Sequence, residues 1–408
     1  MTLQTALSGL LSAQTGLNTV SNDLANASTT AFKSQMALFE DMYPSNVSNV
    51  PGIGATTEGI SSDLTEGNLT STGNPLDAAI QGSGYFIVSN NGAQQYTRDG
   101  AFQLSATGQM ETLTGKPLMG YATNSSGALN STLGTITINT GAVPAQATGS
   151  LGVTLNLNSG DKQIPSTTPF NPADSTTYDE TTSVVAYDSL GNANRVQLYL
   201  VQNQPATSGA TPSWTVYAQP LTASGTSIGT PTNLTTLNFS STGTLTSGSP
   251  ASLAVNWGNG AANSNLSFNF SGTSLAAQSF AVAGLTNDGY ASGSYTGTSI
   301  NSQGQIQSTY SNGQTVSAGT LALANFLNPE GLAPVTGNLY NSSSTSGQAV
   351  VNTPGSGLAG TLSGGYLESS NASTSSLLVS LIQYQQAYQA NTSVIQTEQQ
   401  DSTRLSQI

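Results

Sequence analysis

The sequence predicts an α+β chain, mostly β, with a coiled-coil-like helix at each end and two nested β domains looped out between them. Three observations predict it. Both ends carry uninterrupted helical periodicity, the middle alternates apolar and polar residues between Gly-containing turns, and the composition shifts toward Ser, Thr and Gly over 147–284.

In the C-terminal stretch, Leu377, Leu381, Tyr384, Tyr388, Asn391, Ile395 and Glu398 step alternately by four and three. That is the seam spacing of a coiled coil, which keeps one face on a partner. In the N-terminal stretch, Leu3, Leu10, Leu17 and Leu24 recur every seven residues, and Ala6, Ala13, Val20 and Ala27 run beside them. Neither stretch contains Pro. A lone amphipathic helix is marginal in water because most of its stability comes from packing the stripe. The two ends are therefore expected to pair, and to be disordered in the monomer. Periodicity alone also allows two core helices of an ordinary globular domain.

The first helix is expected to end near Asn26, where Ser28, Thr29 and Thr30 compete for backbone hydrogen bonds. Phe32, Met36, Leu38 and Met42 sit at even positions and predict a strand. Pro44 and the Pro51-Gly52 pair mark a turn, and Ile60, Leu64 and Leu69 predict a returning strand. The 34–72 stretch reads as a spacer hairpin with little core. Tyr85 to Val88 is a buried strand that turns at Asn91-Gly92, and Leu151, Val153, Leu155 and Leu157 alternate cleanly. Asn312-Gly313 marks another hairpin. Trp214 and Trp257 anchor the middle domain. The predicted layout is a helical domain from 1–33 and 370–408, an inner β domain from 73–146 and 285–369, and an inserted outer β domain at 147–284.

Composition excludes several functions. Of 408 residues only 6% are charged, against roughly 25% in an average protein, and the net charge is −13. Six Lys and Arg cannot build a nucleic-acid surface or hold an anionic membrane. Cys and His are absent, so thiolate chemistry, disulfides and His-based metal or acid–base sites are excluded. Lack of Cys suits export by a route without disulfide catalysis, and equally suits the cytosol. No apolar run approaches the ~20 residues of a membrane span. The N-terminal stretch lacks signal-peptide character, so any export is expected to leave it uncleaved. Asp99, Asp188 and Asp288 sit in turns and are expected to shape them. Gly82-Ser83-Gly84 fits neither a phosphate loop nor a nucleophile elbow, and no cofactor is implied. Self-association remains. Contacts between different surfaces of identical copies build a helical filament when the rotation does not close.

The motifs then become specific. The run from Asn22 through Asn26, Phe32 and Lys33 resembles the N-terminal signature of the flagellar rod and hook proteins. That family usually has Gly at the place of Ala31, which argues against a special backbone angle here. Asn74, Pro75 and Leu76, and then Tyr96 to Gly100, resemble its inner-domain motifs. Leu367, Glu368 and Asn371, followed by Ala390 and Asn391, resemble its C-terminal signature. The length, the 187–192 stretch and the 288–332 motifs point to the hook branch. The resemblance implies a hollow, curved homopolymer that acts as a flexible joint passing torque from rod to filament. Its implied partners are further copies, the rod, the hook cap, the junction proteins and the type III export apparatus, at an extracellular site. Leu3, Leu10, Leu17, Leu24, Leu377, Leu381, Tyr384, Tyr388 and Ile395 are the expected assembly contacts. A rod subunit, or a secreted β-rich adhesin or surface-layer protein, are the competing readings.

Overall fold

The computed structural model describes residues 2–43, 52–124, 127–203, 213–405 and 407. The expected turn at Pro44 and Pro51 lies outside them. Two compact units result. The first runs to Thr140 and includes Gly297–Thr309 and the chain from Thr315 onward; the second is Gly141–Thr296 with Tyr310–Gln314.

In the first unit, α1 (Thr2–Ala25) is followed by an antiparallel hairpin of β1 (Gln35–Met42) and β2 (Gly54–Ser62). Its apolar side chains are divided: Met36 is 61% exposed, whereas Ala37 is buried and Leu38 and Phe39 are half-buried. The expected returning strand through Leu64 and Leu69 is corrected here. β2 stops at Ser62 because Asp63 turns the chain, its carboxylate accepting from Thr65 N at 2.9 Å. Leu69 opens a separate strand, β3 (Leu69–Ser71), which is followed by β4 (Ala78–Gln81).

Both short strands pair with the returning chain. β3 lies antiparallel to Tyr366–Glu368 and β4 to Thr361–Gly364. β5 (Tyr85–Asn90) and β6 (Ala93–Thr97) form a hairpin through Asn91 and Gly92. Both turn residues have positive φ, 53° and 88°, as a type I′ turn requires. These strands centre a six-stranded sheet, with Leu323–Asn325 and Val350–Asn352 beside β5 and Leu339–Asn341 and Ala333–Val335 beside β6. Tyr85, Ile87, Tyr96 and Phe326 fill its core, Tyr96 standing edge-on to Phe326 at 4.8 Å.

The second unit packs two sheets over one core. A five-stranded antiparallel meander runs from Glu180–Tyr187 to Leu245–Ser247. The other sheet centres on Ser150–Asn158, whose Leu151, Val153, Leu155 and Leu157 are buried against Leu198, Trp214, Val216 and Phe268. The strand Ala281–Asn287 pairs with Ser150–Asn158 and stays in this unit. It thereby extends past the expected boundary at 284, and bridges from Val143 to Gly293 and from Gln146 to Tyr290 widen the unit on the other side. Asp188 and Asp99 shape turns, Asp188 accepting from Leu190 N and Asn192 N and Asp99 from Ala101 N. Asp288 does not shape its own turn and instead ties down the distant Gly149–Ser150 backbone, accepting from Gly149 N and Ser150 N.

Both tryptophans lie in this unit, so tryptophan fluorescence reports its unfolding alone. Leu155→Ala removes a fully packed side chain and is expected to destabilise this unit by about 2–5 kcal/mol. A urea titration followed by fluorescence checks it; an unchanged midpoint would contradict the assigned core.

Candidate functional site: the chain root and the terminal helix pair

The outgoing and returning arms of the first unit close on one carboxylate. Glu368 Oε1 accepts from Lys33 Nζ at 2.6 Å and Gly67 N at 2.9 Å, and Oε2 accepts from Arg98 Nε at 2.9 Å. All three charged side chains are buried. Both cations also bind backbone carbonyls. Lys33 Nζ reaches Thr65 O at 2.6 Å, and the Arg98 guanidinium reaches the carbonyls of Ile80, Gly82 and Gly84. Burial works against the Glu368 carboxylate. Arg98, the Lys33 hydrogen bond and the Gly67 N–H outweigh it and hold the group below its ordinary value. Lys33 is pulled down, first by burial, with Glu368 opposing.

Backbone bonds extend the clasp. Ala31 N donates to Glu368 O at 2.7 Å, and Asn371 N donates to Phe32 O at 3.3 Å. The Asn371 carboxamide accepts from Ser34 N at 2.7 Å and donates to Asp63 O at 2.9 Å. Asn338 Nδ2 donates to Thr30 O at 2.6 Å. Ala31 has φ = +54°, contrary to the expectation from its side chain. Left-handed geometry costs a non-glycine residue about 1–2 kcal/mol, and the N–H bond to Glu368 holds it there. Asn74, Pro75 and Leu76 form the neighbouring turn. Asn74 binds the Asp77 carboxylate at 2.8 Å, and Asp77 O accepts from Gly365 N at 2.7 Å. The structure thus gathers Phe32, Lys33, Glu368 and Asn371, with Leu367 paired to Thr70 alongside. Asn26 lies apart at the end of α1, where it receives the Thr29 hydroxyl. Ala390 and Asn391 lie apart on the C-terminal helix.

α2 (Thr374–Leu405) packs on α1. A β-carbon at Gly16 would stand 2.5 Å from Tyr384 Cε1, and one at Gly9 would stand 2.8 Å from Asn391 Nδ2. Seven residues forward on α1 match seven back on α2, so the helices are antiparallel. The α1 side of this seam is small: Ala6, Ala13, Gly16 and Val20 are buried. The leucine heptad is therefore not the seam within the chain. Leu3 is exposed and Leu10, Leu17 and Leu24 are half-buried, because only small residues admit Tyr384 so close. On α2, Leu377, Leu381, Tyr384, Tyr388, Asn391 and Ile395 are half-buried, at the expected spacing. The expectation of disordered ends in the monomer is corrected here: both ends are helical within a single chain, because each helix supplies the other's packing partner.

Among the described residues two apolar stripes stay uncovered. Leu3, Leu7 and Leu11 on α1 are 45%, 49% and 58% exposed, and Leu378, Val379 and Ile382 on α2 are 48%, 56% and 51% exposed. By the antiparallel register they lie at opposite ends of the pair. The four-residue spacing of Leu3, Leu7 and Leu11 was the available sequence signal for the first. The seven-residue spacing of Gly9 and Gly16 was the signal for close approach.

Comparison with known proteins settles the relationship. Over 98% of both chains the sequence is 35% identical to the flagellar hook protein FlgE of Salmonella typhimurium. The chain belongs to the flagellar hook protein family. Its similarity to the FlgE of Escherichia coli is also 35%, over 98% of each chain. Family models match at residues 79–153 (flagellar hook protein FlgE/F/G D1 domain), 154–290 (flagellar basal body protein FlaE D2 domain) and 363–408 (flagellar basal body rod FlgEFG protein C-terminal). Among solved structures, Helicobacter pylori flagellar hook protein FlgE2 is similar in fold, with a TM-score of 0.53 at 15% identity over 73% of this chain and all of that one.

Glu368→Gln leaves two buried cations without their anion and is expected to cost about 3–5 kcal/mol at neutral pH. Because the folded carboxyl lies below its ordinary value of 4.5, its contribution is fully present above that value and is lost as pH falls below it. Acid unfolding of the first unit, followed by tyrosine circular dichroism, should show this loss in the natural chain and not in the variant. Equal acid profiles would contradict the clasp.

Proposed function

We propose that this chain is a structural subunit of the flagellar hook, polymerising with identical copies into a hollow curved tube that serves as a flexible joint between rod and filament. One observation carries the mechanism: the helix pair leaves two apolar stripes at its opposite ends. The Leu3–Leu7–Leu11 stripe of one copy packs on the Leu378–Val379–Ile382 stripe of the next. The two surfaces differ, so the contact is heterologous and propagates instead of closing a dimer. Burying both stripes removes apolar surface from water at about 25 cal/mol per Å². Leu10, Leu17, Leu24 and Ile395 flank the seam and add to this holding layer.

The β portions supply a second set of contacts between copies. Their surface is Ser, Thr, Asn, Gln and Gly with few charges, so contacts between copies are made mostly by uncharged polar groups. Polar contacts bridged by water exchange at low cost and let neighbouring copies slide as the tube bends. The 147–284 excursion belongs to this sliding layer. At its ends the polymer meets the rod, the hook cap and the junction proteins, and the subunits arrive through the flagellar type III export apparatus. Family membership supports these partners.

Leu7→Asp and Ile382→Asp each place a charge on one stripe without touching the seam. Each is expected to abolish tubes in negative-stain micrographs while leaving the circular dichroism of the subunit unchanged. Tubes of ordinary length from either variant would sink the stripe model.

A further inference from the structure

We propose that Asn91-Gly92 is a site of spontaneous covalent modification, at which the asparagine amide is lost and aspartate or isoaspartate is formed. The proposal stands on local geometry and is independent of the assembly model. An Asn followed by Gly is chemically susceptible because the Gly nitrogen carries no neighbouring side chain to block its approach. The chain holds three such pairs: Asn91-Gly92, Asn259-Gly260 and Asn312-Gly313. The fold treats them differently.

Asn259 is locked. Its Nδ2 donates to Asp188 Oδ2 at 2.6 Å and its Oδ1 accepts from Ala261 N at 3.1 Å. Asn312 is locked as well, with Nδ2 on Ala291 O at 2.7 Å and Oδ1 receiving Gln314 N at 3.0 Å. There the attacking nitrogen is also engaged, since Gly313 N donates to Tyr310 O at 2.9 Å. Asn91 and Gly92 form the exposed tip of the β5–β6 hairpin. Among the described residues no hydrogen bond holds the Asn91 carboxamide or the Gly92 N–H. The ladder closes on Asn90 and Ala93, which leaves Gly92 N pointing away from it. A β-carbon on Gly92 would meet nothing within 4 Å, so the approach is open.

The step balances. Gly92 N loses its proton and attacks Asn91 Cγ; the N–Cγ bond forms, the Cγ–Nδ2 bond breaks, and the nitrogen leaves as ammonia with that proton. Water then opens the five-membered imide at either carbonyl. One opening gives aspartate; the other routes the main chain through the side chain and gives isoaspartate. Either product puts a negative charge beside the uncharged Gln94, Ser342, Ser343 and Gln348, which line the adjoining depression with Gly92. Isoaspartate also lengthens a turn whose two residues must both hold positive φ. The Asn90–Ala93 closure is then lost.

The test is peptide mapping by mass spectrometry, with isoaspartate detection, of the full chain aged in mildly alkaline buffer. Conversion at Asn91 is expected to outrun that at Asn259 and Asn312 by at least about tenfold. That factor corresponds to one hydrogen bond of about 1.4 kcal/mol surrendered before attack. In urea the three rates should converge, and Asn91→Gln should remove the folded-state signal. An intact Asn91, equal rates at the three pairs in the folded chain, or a ranking that persists in urea would overturn the proposal.

Discussion

The first unit depends on one buried carboxylate. Glu368 meets Lys33 across 335 positions of sequence and Arg98 across 270. Taking three charges out of water costs several kcal/mol for each, and a buried ion group of this kind adds little net stability over an apolar replacement. Its contribution is to specify the pairing. Lys33 closes the N-terminal arm, Arg98 lies in the inner β region, and Glu368 precedes α2. In this arrangement Glu368 accepts from both cations, which also reach backbone carbonyls of the outgoing arm. The loop between Lys33 and Glu368 can be long because closure entropy grows only with the logarithm of its length.

From that constraint the rest follows. With the arms held at Ala31–Glu368 and Phe32–Asn371, α1 and α2 leave the root side by side. The small seam of Ala6, Gly9, Ala13 and Gly16 lets them approach closely and keeps the bulkier residues at the margins. Among the described residues the pair therefore has two uncovered apolar stripes. A subunit built this way presents its helices with part of their apolar surface uncovered, the surface that the proposed assembly would bury. Membership of the hook protein family supports that assembly.

Much of this was legible in the sequence. The period of Leu377 to Ile395 located α2 and its packed face, because helical spacing reports burial on one side directly. The Asn-Gly turns and the alternation of Leu151 to Leu157 located strands for the same reason. Less legible was which of two parallel heptads would face the partner. Leucine carries the larger apolar surface, yet the alanine row is buried, since close approach favours small residues where Tyr384 must fit. The clasp was visible as motif residues without their pairing: nothing local in Lys33 or Glu368 tells which charge each will meet. Ala31 misled because its side chain disfavours the angle that tertiary hydrogen bonding imposes. The short returning strands, Thr361–Gly364 and Tyr366–Glu368, escaped for want of length; each is stable only by pairing with the outgoing chain.

The most direct measurement is native-state hydrogen exchange at three amides that the clasp ties together: Ala31, Gly67 and Asn371. If Glu368 holds the arms as one cooperative body, these amides open with a common free energy, and Glu368→Gln lowers all three by the same amount. If instead Ala31 and Asn371 exchange independently of Gly67, or keep their protection in the variant, the arms are joined by something other than this carboxylate.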